Sequence, residues 1–373
     1  MSDKSLAEMS QQPGNDFLIA AERLHRHLVQ RHWDGHALVG PDPVGKINWR
    51  VTRFLRSYLS FLPWRDRYTF LQTEGYWIKS NVEFYKLTGD DSYLQFVRST
   101  ADQIQRIQRA DGAWNYTLPE RRHLVGIPEG MWAGLGLLAA YQQFGDARYL
   151  DAALNWYRFH VEEMGFATYE DGHVPNYYNH PGAIVPNVAA LTMRFSIELS
   201  RATDDPGYLS NVDKMVRFLP YSQQPSGEIE YVFRVRPHFQ CFQYNAYEFL
   251  DLAACFEYTG DERLLTLLGK MAQYLSGGVT ERGSCRYDCH QERPEVNYWC
   301  AAIGEALRKA HQLNLGNYLE LSERAYRHLL SRQNNDGSFA FSTHNYFVLR
   351  DARSYPRTSA MILKHLLARA TAQ

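Results

Sequence analysis

A short turn motif recurs along the 373-residue chain and limits the folds that it can adopt. In each copy, a turn containing Gly, Asp or Asn precedes an aromatic or aliphatic anchor residue and a leucine. Successive anchors lie 56, 59, 56 and 54 residues apart, at Tyr93, Tyr149, Tyr208, Leu264 and Tyr318. A sixth copy begins near Phe17. A period of this length indicates a repeated hairpin whose copies stack on their neighbours.

A second turn alternates with the first along the chain. It is centred on Gly35, Gly112, Gly172, Gly227, Gly283 and Gly337, and each copy precedes a short polar and aromatic stretch. Glycine suits such tight turns because it tolerates a positive φ angle. Two alternating turns in each period predict two helices in each repeat.

The segments between the turns show helical periodicity of two kinds. Amphipathic segments, expected to form an outer layer, span 17–31, 94–108, 150–163, 209–219, 264–276 and 318–333. More apolar segments, richer in Ala and Gly and expected to form an inner layer, span 74–88, 129–144, 187–201, 245–259, 297–312 and 357–370. The chain starts with an outer segment and ends with an inner one, so these two are expected to pair and close a ring.

These patterns predict an all-α (α/α)6 toroid, a closed ring of six helical hairpins. We expect residues 15–373 to form this ring as a single domain, preceded by an extended or disordered tail at 1–14. An open solenoid of the same hairpins is the alternative that the repeat leaves open.

Composition excludes several classes of function. The formal net charge of −1 supplies no basic field for nucleic acid. No apolar run reaches the ~18 residues that a membrane span requires, and the polar first residues lack the apolar core of a secretory signal. The five cysteines are scattered, which favours a reducing, cytoplasmic location. The oligomeric state is left open.

The links from outer to inner segments are long and leave the ring at one end, where the inner helices begin. They span 32–73, 109–128, 164–186, 220–244, 277–296 and 334–356. Long loops on a regular scaffold commonly carry binding and catalytic residues. Their aromatic residues and arginines suit a sugar or an anion, and the predicted contacts are Trp114, Tyr116, Tyr177, Tyr244, Arg286 and Arg353.

A set of polar residues marks the predicted starts of the six inner helices. In one shared alignment these residues are Glu74, Glu129, Asn187, Asn245, Asn297 and Arg357. Helix N-termini that converge on one cavity create positive potential, which together with Arg357 favours an anionic ligand. Helix capping is the competing explanation, because Asn and Glu are common in the first turn of helices.

Two kinds of chemistry fit these residues. Glu74 and Glu129 lie on neighbouring inner helices, which pack ~8–10 Å apart, compatible with the ~6.5–9.5 Å carboxyl separation of inverting glycosidases. Alternatively, Tyr178, His180, His344 and Tyr346 supply the acid and base that move a proton at a sugar carbon beside a carboxylate. Arg357 would stabilise the resulting enolate-like charge. The supply of arginines favours this second, uronate chemistry.

A zinc site is a weaker hypothesis. Cys285, Cys289 and His290 carry suitable ligand atoms, but their spacing is loose for a structural zinc site. We therefore predict no metal and no cofactor.

The repeat, with segments such as Glu74-Gly-Tyr-Trp77 and Asp336-Gly-Ser-Phe339, resembles the α/α-toroid superfamily over residues 15–370. That superfamily includes six-hairpin glycosidases, polysaccharide lyases, uronyl epimerases and isoprenoid cyclases. The chain is also similar to carbohydrate-active toroid proteins of bacterial exopolysaccharide gene clusters. The resemblance implies a carbohydrate-active enzyme whose ligand is an acidic saccharide or oligosaccharide.

Other functions remain open within this resemblance. Residues 108–114 and 333–339 look like the Gln- and Trp-containing repeats of triterpene cyclases. However, the acidic protonation motif of those cyclases is absent from the sequence. A cyclase-like toroid and a non-catalytic saccharide-binding protein are therefore kept as alternatives.

Overall fold

The computed structural model describes residues 15–43, 66–236, 241–286, 295–345 and 349–371. The predicted tail at 1–14 lies outside this part of the chain. Six inner helices are α2 (Leu71–Thr88), α4 (Ile127–Phe144), α6 (Asn187–Thr203), α8 (Phe242–Thr259), α10 (Asn297–Gln312) and α12 (Pro356–Thr371). Six outer helices are α1 (Asn15–His32), α3 (Ser92–Arg106), α5 (Ala147–Phe159), α7 (Val212–Ser222), α9 (Glu262–Ser276) and α11 (Leu319–Leu330).

The twelve helices form a closed ring, as predicted. Each inner helix packs against the next, and α12 completes the circuit by packing against both α2 and α1. Where the chain ends meet, Arg23 donates to the Asn334 carbonyl at 3.0 Å, and the Phe17 ring meets Tyr326 edge-on at 5.5 Å. The open solenoid is therefore wrong, because its first and last helices would lie far apart.

The Gly-Asp turns between inner and outer helices have a local physical cause. Gly145 and Gly260 end α4 and α8 in the left-handed region, with φ angles of 67° and 66°. The next residue caps the following outer helix, because Asp146 and Asp261 accept the backbone N–H two residues on. One dipeptide therefore stops one helix and starts the next.

Three of the six copies of the second turn are held by a glutamine side chain. Gln108, Gln223 and Gln333 each donate to the carbonyl of the turn glycine and to a carbonyl of an adjacent outer helix, at 2.8–3.1 Å. The Gln-containing repeats of the sequence are therefore structural clamps that dock these three loops onto the ring. They account for the resemblance to cyclase repeats without implying cyclase chemistry.

Short antiparallel strands lie in the loops at the end of the ring where the inner helices begin. They are β1 (Phe166–Tyr169), β2 (Gly172–Pro175), β3 (Glu295–Val296), β4 (Ser342–Asn345) and β5 (Leu349–Asp351), paired β1 with β2 and in the order β3-β4-β5. In the described residues, no helix has the length and apolar character needed to cross a membrane.

Candidate functional site

A cavity of about 580 Å³ lies at the end of the ring where the inner helices begin. Every inner helix contributes to its wall. The lining residues are Gln72 and Tyr76 on α2, Pro128, Glu129 and Trp132 on α4, Asn187, Val188 and Leu191 on α6, Gln243, Tyr244, Tyr247, Glu248 and Asp251 on α8, Tyr298 and Trp299 on α10, Arg357, Thr358 and Met361 on α12, Val296 on β3, and Pro43, Tyr116, Tyr177, Tyr231 and Phe341 from loops.

Glu129 is the most distinctive titratable group of the wall. Its side chain is only 6% exposed, and its Oε2 accepts the Gln72 backbone N–H at 3.0 Å. Burial raises the pKa of Glu129 from 4.5 to about 7, although the Gln72 and Leu71 N–H groups at the start of α2 and the Arg357 charge oppose this rise. A carboxyl with this pKa is populated in both protonation states near neutral pH, which suits a general acid or base.

The raised pKa of Glu129 predicts a pH-dependent gain in stability for Glu129→Gln. Between pH 4.5 and about 7 the unfolded chain loses this proton first, so the folded state is progressively disfavoured as pH rises. At ~1.4 kcal/mol per pKa unit, the full penalty is about 3 kcal/mol above pH 7. Gln carries no such proton, so calorimetry should show the Tm advantage of the variant growing from pH 5 to pH 8.

A matched control is Glu320→Gln, which alters an exposed carboxylate on α11. Its Tm difference from wild type should stay small and nearly constant over the same pH range. A constant Tm difference for Glu129→Gln as well would mean that Glu129 ionises at its ordinary pKa.

Arg357 lies near the start of α12, lines the cavity and is paired with a counter-ion, Asp42. Its Nε lies 2.7 Å from Asp42 Oδ2, its Nη2 donates to Asp42 Oδ1 at 3.0 Å, and its guanidinium stacks over Phe70. Asp42 is only 1% exposed. The positive charge is therefore fixed in position and partly balanced before any ligand arrives.

Breaking this pair should be costly. Asp42→Asn removes the carboxylate that balances a mostly buried guanidinium, so we expect a loss of about 3–5 kcal/mol in the free energy of unfolding. The measurement is denaturant unfolding. Asp213→Asn is the control, because Asp213 pairs with Arg263 on the exposed surface, and it should cost about 0–1 kcal/mol. Equal losses for the two variants would contradict the buried character of the Arg357–Asp42 pair.

Aromatic rings form most of the remaining wall. Tyr231 and Tyr244 stack with their centroids 4.6 Å apart, and Tyr76 stacks on Trp132 at 3.8 Å. Burial raises the pKa of Tyr177 and Tyr244 well above the usual value, so their hydroxyls stay protonated and can donate hydrogen bonds. Aromatic walls with a few fixed polar groups are typical of small-molecule sites.

Only part of the predicted ring of helix-start residues faces this cavity. Glu129, Asn187 and Arg357 do. The other three bind loop backbone instead: Glu74 Oε1 accepts the Leu38 N–H at 3.0 Å, Asn245 Oδ1 accepts the Ile229 N–H at 2.9 Å, and Asn297 Nδ2 donates to the Ala340 carbonyl at 2.7 Å. These three side chains are not among the cavity-lining residues, so the structure does not bring Glu74 and Glu129 together as a pair on its wall.

The predicted loop residues are similarly divided. Tyr116, Tyr177 and Tyr244 line the cavity. Trp114 is buried in the core, where its indole donates to the Ile104 carbonyl, and His180 is exposed and bonds the Pro181 carbonyl. Tyr178 packs edge-on against Tyr116 and is not among the cavity-lining residues. Arg286 and Arg353 lie outside the cavity lining.

Some predicted residues fall outside the part of the chain that the structure describes. Tyr346, Cys289 and His290 lie outside the described ranges, and of His344 only the backbone in β4 is described. Cys285 is buried beside Cys300. Within the described ranges, no three His, Cys, Asp or Glu side chains cluster so as to hold a metal.

The chain is similar in fold to several solved structures, although its sequence identity with them is low. Cellobiose 2-epimerase from Bacillus thermoamylovorans matches with TM-score 0.77 and 11% identity over 95% of this chain and 99% of that one. The chain has the α/α-toroid fold. A possible GH105 member from Salmonella enterica matches this toroid with TM-score 0.68 and 14% identity, covering 97% and 95% of the two chains. A polysaccharide lyase matches with TM-score 0.67 and 12% identity, covering 95% and 98%. No family model and no curated protein sequence matches the chain.

The toroid also has cavity residues that the sequence patterns missed. They include Tyr76, Trp132, Tyr231, Tyr247, Glu248, Asp251 and Tyr298, and Asp42, which pairs with Arg357 but does not itself line the cavity, was missed as well. Several lie three, four or seven residues beyond a correctly placed residue on the same inner helix. Trp132 follows Glu129 in this way, and Tyr247, Glu248 and Asp251 follow Tyr244. Helical periodicity carried down the inner helices would have found these.

Proposed function

We propose that this toroid is an enzyme that acts on an acidic, uronate-type saccharide by lyase- or epimerase-type proton transfer. The observation that carries the proposal is Glu129, a cavity carboxyl with a pKa of about 7 beside Arg357. The proteins with the same fold that are named above include an epimerase and a polysaccharide lyase, which supports the reaction class.

The chemistry needs a base, a group that stabilises charge, and an acid. Ionised Glu129 would take the proton from the ring carbon next to the substrate carboxylate, and Arg357 would stabilise the enolate-like charge that develops there. Tyr116 lines the same wall, and burial together with the Glu129 charge raises its pKa, so its hydroxyl stays protonated. In an elimination, Tyr116 would protonate the leaving oxygen as the C–O bond breaks. In an epimerisation, it would return a proton to the opposite face of the carbon.

Hydrolysis is the second candidate, because another carboxyl shares the cavity. Glu248 lines the wall on α8, and its pKa is raised well above the usual range by burial and by Asp251. Glu129 and Glu248 would then divide the acid and base roles of a glycosidase. This pairing takes the place of the one predicted between Glu74 and Glu129.

A single assay separates these reactions. Uronate oligosaccharides are incubated with the protein in deuterated water. Elimination creates a double bond that absorbs in the ultraviolet, epimerisation introduces deuterium at the reacting carbon, and hydrolysis creates reducing ends without either signal. The proposal expects one of the first two signals; reducing ends alone would favour hydrolysis.

We further propose that the natural substrate derives from a bacterial exopolysaccharide and is processed in the cytoplasm. Cys255, Cys285 and Cys300 are buried and form no disulfide among the described residues, which suits a reducing compartment. Fractionation of the native cells tests the location, and recovery of the protein from an extracytoplasmic fraction would contradict it.

A further inference from the structure

The deep part of the cavity differs chemically from its mouth. The inner helices all begin at the mouth, where Glu129 and Arg357 are the third and second residues of their helices. Glu248 is the seventh residue of α8, so with a helical rise of ~1.5 Å per residue it lies roughly 6 Å deeper than Glu129. We call this deeper region, formed by Tyr76, Trp132, Tyr247, Glu248 and Asp251, the floor.

Two polar groups of the floor lack partners among the described residues. Glu248 is only 2% exposed, and its Oε1 is buried without a hydrogen bond. The buried Tyr247 hydroxyl also has no hydrogen-bond partner among the described residues. Both residues line the cavity. Leaving buried polar atoms unpaired costs stability, so their presence side by side on a cavity wall points to a ligand that pairs with them.

The two carboxyl groups of the floor contribute little net charge. Asp251 is balanced by Arg194, whose Nη1 donates to Asp251 Oδ1 at 2.7 Å. Burial and the neighbouring Asp251 raise the pKa of Glu248 well above its usual range, so its carboxyl is neutral and can both donate and accept hydrogen bonds. The stacked Tyr76 and Trp132 rings supply the apolar part of the surface. A neutral ligand with several hydroxyl groups and an apolar ring face matches this combination.

We propose that the floor is a subsite for a neutral pyranose unit of the substrate, held by Tyr247 and Glu248. This inference rests on the proposed function, in which the acidic unit lies at the mouth beside Glu129 and Arg357. The substrate is then at least a disaccharide, with an acidic unit at the mouth linked to a neutral unit on the floor. Removing a hydroxyl from the neutral unit would leave the floor groups unpaired, so such analogues should be strongly disfavoured.

The first test measures stability without ligand. Glu248→Met replaces the unpartnered carboxyl with an apolar side chain of similar length, so the Tm of the free protein should stay the same or rise. Glu305→Met is the matched control. Glu305 is also buried on an inner helix, but its carboxylate binds Arg308 at 2.6 Å and Tyr326 at 2.9 Å, so its loss should lower the Tm. A similar drop in Tm for both variants would show that Glu248 has a structural partner and would overturn the subsite.

The second test measures binding by calorimetry in the Glu129→Gln background, where turnover is suppressed. The probes are glucuronic acid, a glucuronyl-glucose disaccharide and the same disaccharide with a deoxygenated glucose unit. Adding Glu248→Met should weaken binding of the disaccharide by about 10–100-fold, or about 1.4–2.8 kcal/mol, and should leave glucuronic acid unchanged. The deoxygenated probe should bind weakly to both proteins.

The outcomes separate the subsite from the proposed reaction. Disaccharide binding that does not respond to Glu248→Met, or an equal loss for glucuronic acid, overturns the subsite. If Glu129→Gln retains full turnover while disaccharide binding still depends on Glu248, the proposed role of Glu129 fails and the subsite stands. If no saccharide probe binds the parent protein, both proposals fall.

Discussion

Glu129→Gln should lower the turnover of a uronate oligosaccharide by about 10²–10⁴-fold, the usual contribution of a positioned general acid or base. Gln has nearly the same shape, and its side-chain oxygen can still accept the Gln72 N–H. The variant should therefore fold and bind substrate, with the loss confined to kcat. Initial rates at several substrate concentrations measure this split.

Glu74→Gln is the matched control for this prediction. Glu74 lies in the first turn of the neighbouring inner helix but binds the Leu38 backbone and does not line the cavity. Its turnover should therefore stay close to that of the wild type. If Glu74→Gln lost as much activity as Glu129→Gln, or if Glu129→Gln kept its activity, the assignment of the proton-transfer group to Glu129 would be wrong.

The second large effect concerns the packing that positions Glu129. Gly75 lies where α2 crosses α4, and a Cβ atom at this position would lie 2.2 Å from the Trp132 carbonyl oxygen. That oxygen belongs to a helix backbone, so an added methyl group must push the two helices apart. Gly75→Ala should lower the free energy of unfolding by about 1–3 kcal/mol or more and should also reduce activity, because Glu129 and Trp132 lie on α4.

Gly269→Ala provides the control for the packing argument. Gly269 lies within outer helix α9, and a Cβ atom there would meet nothing within 4 Å. Ala is favoured over Gly in helices by up to ~1 kcal/mol, so this variant should be slightly more stable than the wild type. Thermal unfolding of both variants measures the contrast, and a stable Gly75→Ala protein would mean that the inner helices are less tightly packed than described.

The ring itself could be predicted because its signals are local. The Gly-Asp turns stop one helix and start the next within two residues, and glutamine clamps follow three of the six outer helices, each four residues before the turn glycine. Outer helix α7 shows the limit of this approach. The sequence predicts it from residue 209, but it begins at Val212, because Pro206–Leu209 form a separate short 3-10 helix that Asp205 caps.

The cavity residues were harder to predict. A residue's position near the start of an inner helix determines how deep it lies in the ring, but not which way its side chain points. Gln72 and Tyr76 on α2 both face the cavity. Glu74 lies two residues after Gln72, which turns it by roughly 200° around the helix axis, and its carboxylate binds the Leu38 backbone N–H. Asn245 likewise follows the cavity-lining Tyr244 by one residue and points to the loop backbone. Aligning helix starts by residue type alone cannot detect such rotations.

Interactions between residues far apart in the chain could not be inferred from the sequence patterns either. Asp42 lies 315 residues before Arg357, and only closure of the ring brings the two together. The raised pKa of Glu129 likewise depends on burial by several different helices rather than on its neighbours in the chain.

The most direct test of the central claim follows the proton on the carbon beside the uronate carboxylate. Wild-type protein is incubated with a glucuronyl-glucose disaccharide and longer uronate oligosaccharides in deuterated water, and nuclear magnetic resonance follows the signal of that proton. We predict that the signal disappears with the wild type and with Glu74→Gln, and persists with Glu129→Gln. Persistence of the signal with the wild type, or its loss at the same rate with Glu129→Gln, would contradict the claim that Glu129 moves this proton.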